Sequence, residues 1–424
     1  MLEYTESYGK FFAKRGATVL RSFLLRAFRT SVRTQNWHER MLFVNLEGIG
    51  DLIMFTSILK HYRKRFPEKK IYLLIKKGSG VERIYKNDFA EDVILLDYRK
   101  FSVNPFYGFA FLNRLRRIGF QTVVNYDFSA SEIMGKIITV SVGAENVIGY
   151  EGQRIEFEKP YDPQQAKHIE IARKEIFPRY TRIIPGIAQN EEDRLPNEIE
   201  HYRVIYEATT GFREEDYAPV MPFPDPPERI EEIVERFGLT PRRYVLMNVN
   251  SSVACKLWPL SRFAALARFL RGEGFVIALV GSKKERPHNE GFEKLAGGRF
   301  HNLAGMTSFH DLIALAANAF IVVTNDTSTV HLAVALKIPS LCVAGGGQFG
   351  VAIDYGYKDI HIWAYERTPC YLDNWRCARK VAHGKPSPCV EAVSLELAMG
   401  KLKSLLEYLR NTPAYPREPF RIRF

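Results

Sequence analysis

The feature that most constrains the fold is a strand, turn, helix and strand pattern at residues 320–350. An apolar run at 320–323 predicts a strand buried on both faces. Small polar residues follow at 324–328, and an apolar helix then ends before Pro339, ahead of a second apolar run at 340–344. The polar turn therefore stands at the C-terminal end of a strand, where open parallel α/β sheets bind ligands. The exposed N–H groups of a helix start suit a phosphate there.

A similar series occurs near the start of the chain. Residues 41–46 predict a strand, Gly48 and Gly50 predict a tight turn before Asp51, and a helix and another strand follow. With 424 residues, the chain is long enough for two domains with separate cores. The proline-rich stretch at 222–227 is typical of a linker between them. The sequence therefore predicts an α/β protein with two doubly wound domains.

Composition narrows the partners and the compartment. The net charge of +12 favours an anionic partner, which on charge alone could be nucleic acid, anionic lipid or a phosphorylated glycan. No apolar run reaches the roughly 18 to 20 residues of a transmembrane helix, and the N-terminus lacks the features of a signal peptide. Five cysteines are too few for a disulfide scaffold of this size, so we expect a cytoplasmic protein.

Five blocks resemble motifs of glycosyltransferase family 9, the lipopolysaccharide heptosyltransferases, in the family's order. They are Gly48, Gly50 and Asp51 with the later Phe66-Pro67; Lys256-x-Trp258-Pro259; Gly281 to Glu285, similar to G-x-x-x-E; Asn302 to Thr307, similar to N-L-x-G-x-T; and Asn325 to Ala333, similar to N-D-T/S-G-x-x-H-x-A. The last block departs from the family at Ser328, where a glycine is usual. A glycine there lets the backbone approach the sugar diphosphate closely.

The resemblance implies a fold of two Rossmann-like domains facing across a cleft, the GT-B type. It also implies an inverting glycosyltransferase that moves a sugar, heptose from ADP-heptose, to a lipopolysaccharide core or related glycan. The nucleotide sugar would be a co-substrate, and neither a cofactor nor a metal is expected. The partners implied are an ADP-linked sugar, an anionic glycolipid acceptor and an anionic membrane surface, but no nucleic acid.

The resemblance also implies roles for individual residues. Asp51 would be the general base that deprotonates the acceptor hydroxyl, after the turn glycines Gly48 and Gly50. Lys256 would contact the donor diphosphate, and Glu285 would bind the ribose hydroxyls. The full set of expected donor-binding residues is Ser251, Lys256, Glu285, Met306, Thr307, Asp326, Thr327, Ser328 and His331.

The residues themselves also allow structural roles. Asp51 could cap the helix that follows it, and Asp326 or Thr327 could do the same, with His331 in the core. Lys256 and Glu285 could be ordinary surface charges. At the level of function, the alternatives are a non-catalytic glycan- or nucleotide-binding relative and a nicotinamide-dependent dehydrogenase. Residues 345–350 fit the dinucleotide fingerprint G-x-G-x-x-G formally, but a poor helix follows them.

The domain organisation predicted from these patterns has four parts. Residues 1–40 form a basic amphipathic N-terminal segment, with eight Lys or Arg against three Glu, which can lie on an anionic membrane or pack on the next domain. Residues 41–227 form an acceptor domain with an insertion at about 151–221. Residues 228–400 form the nucleotide-sugar domain, and 401–424 a C-terminal helix and basic tail. Cys370, Cys377 and Cys389 have a spacing that fits no standard zinc pattern.

Overall fold

A computed structural model shows that the chain folds as two compact units, Met1–Ala218 and Pro219–Phe424. The division falls at 218/219, whereas the sequence placed it at 227/228. The structure describes residues 24–25, 27–28, 37–78, 80–127, 129, 132–152, 163–187, 196–222, 227–347, 359–373 and 385–412. Several predictions fall outside these residues: most of the N-terminal segment, the end of the glycine-rich stretch 345–350, Cys377, and the basic tail beyond residue 412.

The N-terminal unit is built on a six-stranded parallel sheet in the order β3-β2-β1-β4-β5-β6. Its strands are β1 (Arg40–Val44), β2 (Lys70–Lys76), β3 (Asp92–Leu96), β4 (Thr122–Asn125), β5 (Asn146–Tyr150) and β6 (Arg182–Ile184). Its helices are α1 (Ile49–Arg65), α2 (Glu82–Asp88), α3 (Tyr98–Val103), α4 (Pro105–Ile118), α5 (Ile133–Ser141), α6 (Pro163–Ile171) and α7 (Glu198–Thr210). Short 3₁₀ turns lie at Trp37–Glu39 and Phe177–Arg179, and a π-helical turn lies at Ala172–Ile176.

The C-terminal unit repeats this plan with the order β12-β11-β10-β7-β8-β9. Its strands are β7 (Tyr244–Asn248), β8 (Val276–Leu279), β9 (His301–Asn302), β10 (Ile321–Asn325), β11 (Ser340–Val343) and β12 (His361–Ala364). Its helices are α8 (Pro227–Arg236), α9 (Leu260–Gly272), α10 (Arg286–Ala296), α11 (Phe309–Asn318), α12 (Ser328–Ala335), α13 (Pro388–Ala392) and α14 (Leu395–Asn411), with 3₁₀ turns at Ala254–Lys256 and Lys283–Glu285.

Both sheets have the strand order of a Rossmann fold. Numbered within its own unit, each sheet runs 3-2-1-4-5-6, so the strand order reverses between β1 and β4 in one unit and between β7 and β10 in the other. The prediction of two Rossmann-like α/β domains is therefore confirmed. At such a reversal, neighbouring connections leave on opposite faces of the sheet and open a crevice at the carboxyl ends of the strands.

The region predicted as an insertion contributes to the N-terminal unit itself. It supplies β6, which pairs with β5, and α7, which packs on α1. Helix α7 begins at a capping box, in which the Asn197 N–H donates to Glu200 Oε2 at 2.7 Å, and ends at Gly211 with φ 75°. Strand β6 has only three residues. A hydrophobic period cannot be recognised in so short a strand, so the sequence did not predict it.

Part of the N-terminal segment packs against its own domain. Leu24, Leu25 and Phe28 are each at most 4% exposed and belong to the core cluster that includes Leu42 and Val44 of β1. For these three residues, the structure agrees with the alternative that the segment packs on the next domain rather than on a membrane. The described part of the chain contains no helix long and apolar enough to cross a membrane.

Candidate functional site

Asp51 lies in the first turn of α1, just beyond the carboxyl end of β1. Its Oδ2 atom accepts a hydrogen bond from the Gly48 N–H at 2.7 Å. Tyr202 on α7 donates its hydroxyl hydrogen to the Asp51 carbonyl at 3.1 Å, and Asn45 in turn donates to that hydroxyl at 3.2 Å. Asp51 therefore has the capping role that the sequence allowed, at a position on the sheet edge that also suits a base.

Of the two turn glycines, Gly48 is favoured for space rather than for an unusual backbone angle. Gly48 has φ −79°, which any residue can adopt. A Cβ atom at Gly48 would lie 2.9 Å from Asp51 Oδ2, where the carboxylate now caps the helix. Gly50 is the second residue of α1 and is half-buried. A side chain at Gly48 would therefore displace the Asp51 carboxylate.

A second carboxylate beside this turn, that of Asp127, was not predicted from the sequence. Asp127 follows β4, the neighbour of β1 at the reversal of strand order, and is fully buried. It accepts from the Leu46 N–H at 2.5 Å and from Asn125 Nδ2 at 3.0 Å, so it ties the turn after β1 to the end of β4. Burial, more than the nearby Glu132, raises the pKa of Asp127 to about 6.

Glu47, immediately before Gly48, is the third carboxylate of this group. It accepts from the Ser129 N–H at 3.3 Å. Burial raises the pKa of Glu47 well above its usual range, and the charges of Asp127 and then Asp51 raise it further. Three acidic groups thus meet at one sheet edge. The signal available in the sequence was an acid directly after each of two strands that the fold makes neighbours.

One buried cation supports this end of the sheet. Lys136 on α5 is fully buried, and its Nζ donates to the carbonyls of Ser129 at 2.7 Å and Glu132 at 2.9 Å. Its positive charge lowers the pKa of Asp127 and so opposes the effect of burial. Lys136 therefore holds the loop between β4 and α5 and partly balances the acidic group.

In the C-terminal unit, the nine predicted donor-binding residues all follow four adjacent strands. The loop after β7 carries Ser251 and Lys256, the loop after β8 carries Glu285, the loop after β9 carries Met306 and Thr307, and the turn after β10 carries Asp326, Thr327, Ser328 and His331. Because parallel strands end at one edge, these loops share the carboxyl edge of the sheet in the order β10-β7-β8-β9.

Lys256 and Asp326 form an ion pair across the reversal between β7 and β10. Lys256 Nζ lies 2.7 Å from Asp326 Oδ2, and the two side chains are 22% and 9% exposed. Burial alone would raise the pKa of Asp326, but the charges of Lys256 and then His331 outweigh it and leave that pKa below its ordinary value. The lysine is thus held at the sheet edge with one face still reachable by solvent.

The start of α12 has the geometry of a capped helix. Thr327 is its N-cap, with an extended backbone and a side chain that accepts from the Thr329 N–H. Ser328 is the first helical residue and is half-buried, whereas His331 is buried at 5% exposure. The capping expected of Thr327 is therefore present, and His331 lies in the core near Asp326 as an electrostatic partner of that carboxylate.

The loops after β8 and β9 are joined to each other. Gly305, with φ 76°, donates its N–H to the Gly281 carbonyl at 2.9 Å, which brings the segment of Met306 and Thr307 beside the turn of Glu285. A Cβ at Gly305 would lie 2.7 Å from the Lys283 Cα atom, so this close approach requires glycine. Glu285 Oε2 accepts from the Ser282 N–H at 2.6 Å, and Met306 is 56% exposed.

A network of asparagines, to which the sequence analysis assigned no role, supports these loops. Asn248 at the end of β7 donates to Thr329 Oγ1 at 2.8 Å, and Asn325 at the end of β10 donates to the Asn250 carbonyl at 3.2 Å. Asn325 also accepts from the Trp258 N–H at 3.1 Å. Trp258 itself is buried and donates to the Val393 carbonyl at 2.8 Å, so this residue of the Lys256 block anchors the loop. Ser251 Oγ accepts from the Val253 N–H at 3.1 Å within the same loop.

Metal ligands were not expected from the sequence. Within the ranges that the structure describes, no three or more His, Cys, Asp or Glu side chains are grouped so as to hold a metal ion. Four described cysteines, Cys255, Cys342, Cys370 and Cys389, are present as free thiols.

These features define a class of protein. Each unit is a Rossmann-like domain with polar side chains gathered at the reversal of its strand order, and the C-terminal unit brings together a cation and a helix start, an arrangement that suits a phosphate group. Comparisons with known proteins agree. The family model described as "Glycosyltransferase family 9 (heptosyltransferase)" matches residues 186–373. This match covers somewhat less than half of the chain and includes four of the five blocks that resemble the family.

Individual relatives add detail. The chain is 35% identical over 94 residues to the lipooligosaccharide heptosyltransferase 2 of Haemophilus influenzae, a stretch that covers 21% of this chain and 27% of that protein. Among solved structures, a family 9 glycosyltransferase from Veillonella parvula has a TM-score of 0.62 at 16% identity, covering 88% of this chain and 99% of its own. The E. coli ADP-heptose lps heptosyltransferase II has a TM-score of 0.61 at 14% identity, covering 87% and 98%. These structural likenesses show a shared fold.

Proposed function

We propose that this protein is an inverting glycosyltransferase that moves heptose from ADP-heptose to a lipopolysaccharide core or related glycolipid. The observation that carries the proposal is the Lys256–Asp326 pair, 2.7 Å apart, at the reversal of the C-terminal sheet beside the start of α12. The match of residues 186–373 to the family model supports the reaction type. The printed names of its relatives, a lipooligosaccharide heptosyltransferase and an ADP-heptose heptosyltransferase, support the donor and the acceptor.

In this proposal the donor lies along the carboxyl edge of the C-terminal sheet. Lys256 shares its charge between Asp326 and the donor diphosphate, and the Ser328 N–H at the start of α12 faces the phosphates. Glu285, which holds its turn with Oε2, can accept from a ribose hydroxyl with its second oxygen. Met306 and Thr307 pass beside the base.

The chemical step transfers the sugar with inversion. The acceptor hydroxyl oxygen attacks the anomeric carbon, the bond from that carbon to the β-phosphate oxygen breaks, and ADP leaves with the bonding electron pair. Asp51 takes the proton of the attacking hydroxyl. Lys256 and the start of α12 neutralise the charge that develops on the diphosphate, so the proposed step requires no metal ion.

The cellular setting follows from the same proposal. In this proposal the protein works in the cytoplasm, peripheral on the inner face of the membrane, where it would meet a lipid-linked acceptor. The excess of 60 Lys and Arg over 48 Asp and Glu suits an anionic glycolipid and an anionic membrane surface. Nucleic acid is not among the proposed partners.

Calorimetric titration with ADP, GDP and UDP tests the donor site. We expect ADP alone to bind tightly, and Lys256→Ala to weaken ADP binding by about 1 to 3 kcal/mol, or roughly 5- to 150-fold. Lys294→Ala is the matched control, because Lys294 is an exposed lysine on α10 of the same unit.

The fold of the variants must be checked, since Lys256→Ala leaves the buried Asp326 without its cation. Lys256→Gln removes the charge but retains a donor for Asp326, and it should weaken ADP binding as well. If both Lys256 variants fold and bind ADP like the parent protein, the donor site lies elsewhere.

A further inference from the structure

An exposed aromatic surface on α3 and α4 of the N-terminal unit has no part in the proposed reaction. Val103 is 48% exposed, Phe106 is 84% exposed and Phe109 is 44% exposed. These three lie within seven residues, although only nine large hydrophobic residues are exposed in the whole described chain. Clustered apolar exposure with a polar rim marks an interaction surface.

The helix that carries this surface is apolar on two opposite sides. Its inner side, with Phe111, Leu112 and Leu115, is buried in the core of the unit. Phe106 and Phe109 are about one turn apart on the outer side of the helix. Because the inner side already fills the core, the exposed parts of the outer phenylalanine rings contribute little to folding.

The charge around these rings has one sign. From Tyr98 to Tyr126 the sequence has five cations and no Asp or Glu, against 60 cations and 48 acids in the whole chain. Arg99 and Lys100 precede the aromatic residues, and Arg114 and Arg117 follow them at eight and eleven residues from Phe106, on the same exposed side of α4. Among the residues that the structure describes, Lys100 is the one of these four cations with an acid at ion-pair distance, Asp97 at 3.8 Å.

The N-terminal segment reaches the domain at the edge of this surface. The ring of Phe28 lies 5.2 Å from that of Phe109 and 5.3 Å from the guanidinium of Arg116. Leu24 packs against α4 at Gly108. The N-terminal segment therefore meets the domain beside the exposed rings at Leu24 and Phe28, and the sequence before these residues includes Lys10, Lys14, Arg15 and Arg21.

We propose that Val103, Phe106 and Phe109, with Arg99, Lys100, Arg114 and Arg117, form a docking face for the surface of an anionic lipid bilayer. Phenylalanine rings enter the boundary between headgroups and acyl chains, while arginine and lysine bind the phosphates around them. A second copy of the chain is a poor occupant, because it would bring two faces of like charge together. The inference does not depend on the sugar chemistry.

Flotation of the full-length protein with lipid vesicles tests the docking face. We expect binding to mixed phosphatidylcholine and phosphatidylglycerol vesicles at low salt, weaker binding at high salt, and little binding to pure phosphatidylcholine. Phe106→Ser should lower the partition coefficient by about tenfold. Arg114→Gln with Arg117→Gln should lower it by about 30-fold, or roughly fivefold per cation.

Matched controls distinguish vesicle binding by this face from nonspecific binding and from binding by other parts of the chain. Phe212 is 43% exposed elsewhere in the same unit, so Phe212→Ser should bind like the parent. The pair Lys294→Gln and Arg299→Gln removes the same charge from exposed positions of the C-terminal unit and should have little effect. In Phe106→Trp, the added fluorescence should shift to the blue with anionic vesicles and be quenched by brominated lipid.

Three results would overturn the proposal. The first is a full-length protein that ignores anionic vesicles at low salt, as expected if the face serves an acidic protein instead. The second is a Phe106→Ser variant that binds like Phe212→Ser, which would assign the binding to residues 1–23. The third is dimerisation through this face without lipid, abolished by Phe106→Ser. ADP titration of the same variants should be unchanged, so a failure of the docking face is distinguishable from a failure of the donor site.

Discussion

Asp127→Asn should greatly reduce a pH dependence of stability that the parent N-terminal unit shows between about pH 4 and pH 6. The pKa of Asp127 is raised from an ordinary 3.8 to about 6, chiefly by burial. Between these values the folded protein holds a proton that the unfolded chain has lost. Stability is therefore greatest in acid and falls as the pH rises through the folded pKa.

The magnitude follows from the size of the shift. About two pKa units at 1.36 kcal/mol each give roughly 3 kcal/mol that the parent loses between acid and neutral pH. An asparagine has no proton to lose, so the variant should gain about this much relative to the parent as the pH rises from 4 to 7. The raised pKa of Glu47, to which Asp127 contributes, adds an effect of the same sign.

The substitution is compatible with the local hydrogen bonds. Asparagine keeps an oxygen that can accept from the Leu46 N–H. Asn125 Oδ1 is buried without a hydrogen-bond partner among the described residues, and the Asn125 amide can turn over to accept from the new N–H₂ group. Asp127→Ala removes the acceptor for Leu46 altogether, so it should destabilise the turn after β1 at every pH.

Hydrogen exchange of the β1 amides, corrected for intrinsic rates, measures the opening free energy of this unit separately from the other. Asp216→Asn is a control of opposite sign. Burial would raise the pKa of Asp216, but bonds from the Ala218 N–H and Lys60 outweigh it and lower that pKa. Its contribution should therefore disappear as the pH falls. A constant difference between Asp127→Asn and the parent from pH 4 to pH 7 would refute the reasoning.

Two further predictions concern the same sheet edge. Asp51→Asn should lower turnover by about 100- to 10,000-fold, the usual cost of losing a general base, with ADP affinity unchanged. Near-normal turnover, or a parallel loss of ADP binding in titration, would leave Asp51 as a helix cap or a donor ligand. Gly135→Ala on α5 should destabilise the N-terminal unit by about 1 to 3 kcal/mol in denaturant unfolding, because the added methyl group would overlap the Asp127 carboxylate. Gly291→Ala on α10, which meets only Leu260 at 4.0 Å, should be neutral or stabilising, and equal effects at the two glycines would contradict the close packing at Asp127.

Local patterns in the sequence were enough to predict most strands and helices that surround the candidate site. Strands β1, β7 and β10 are apolar runs, and each ends in small or polar residues that start a helix or a turn. Such signals act within a few residues, so no tertiary information is needed to read them. The family's motif blocks, spaced along the chain, contain eight of the nine donor-binding candidates, all except Ser251, and the nine lie on four adjacent loops. Their roles stay predictions.

Tertiary structure alone decided which distant residues meet. Lys256 and Asp326 are 70 positions apart and pair only because β7 and β10 are neighbours in the sheet. Asp127 reaches the turn of Asp51 because β4 lies beside β1, and its burial there raises its pKa. The sequence shows that both acids follow strands, but strand order depends on the packing of helices against both faces of the sheet.

The same distinction explains the N-terminal segment and the aromatic surface. By composition, Leu24, Leu25 and Phe28 belonged to an amphipathic stretch that could lie on a membrane, yet they fill the core of the first domain. Phe106 and Phe109 sit in an equally apolar stretch and remain exposed. Hydrophobicity drives both sets out of water with similar strength. Which of them finds a protein core depends on where each helix face points once the sheet has formed.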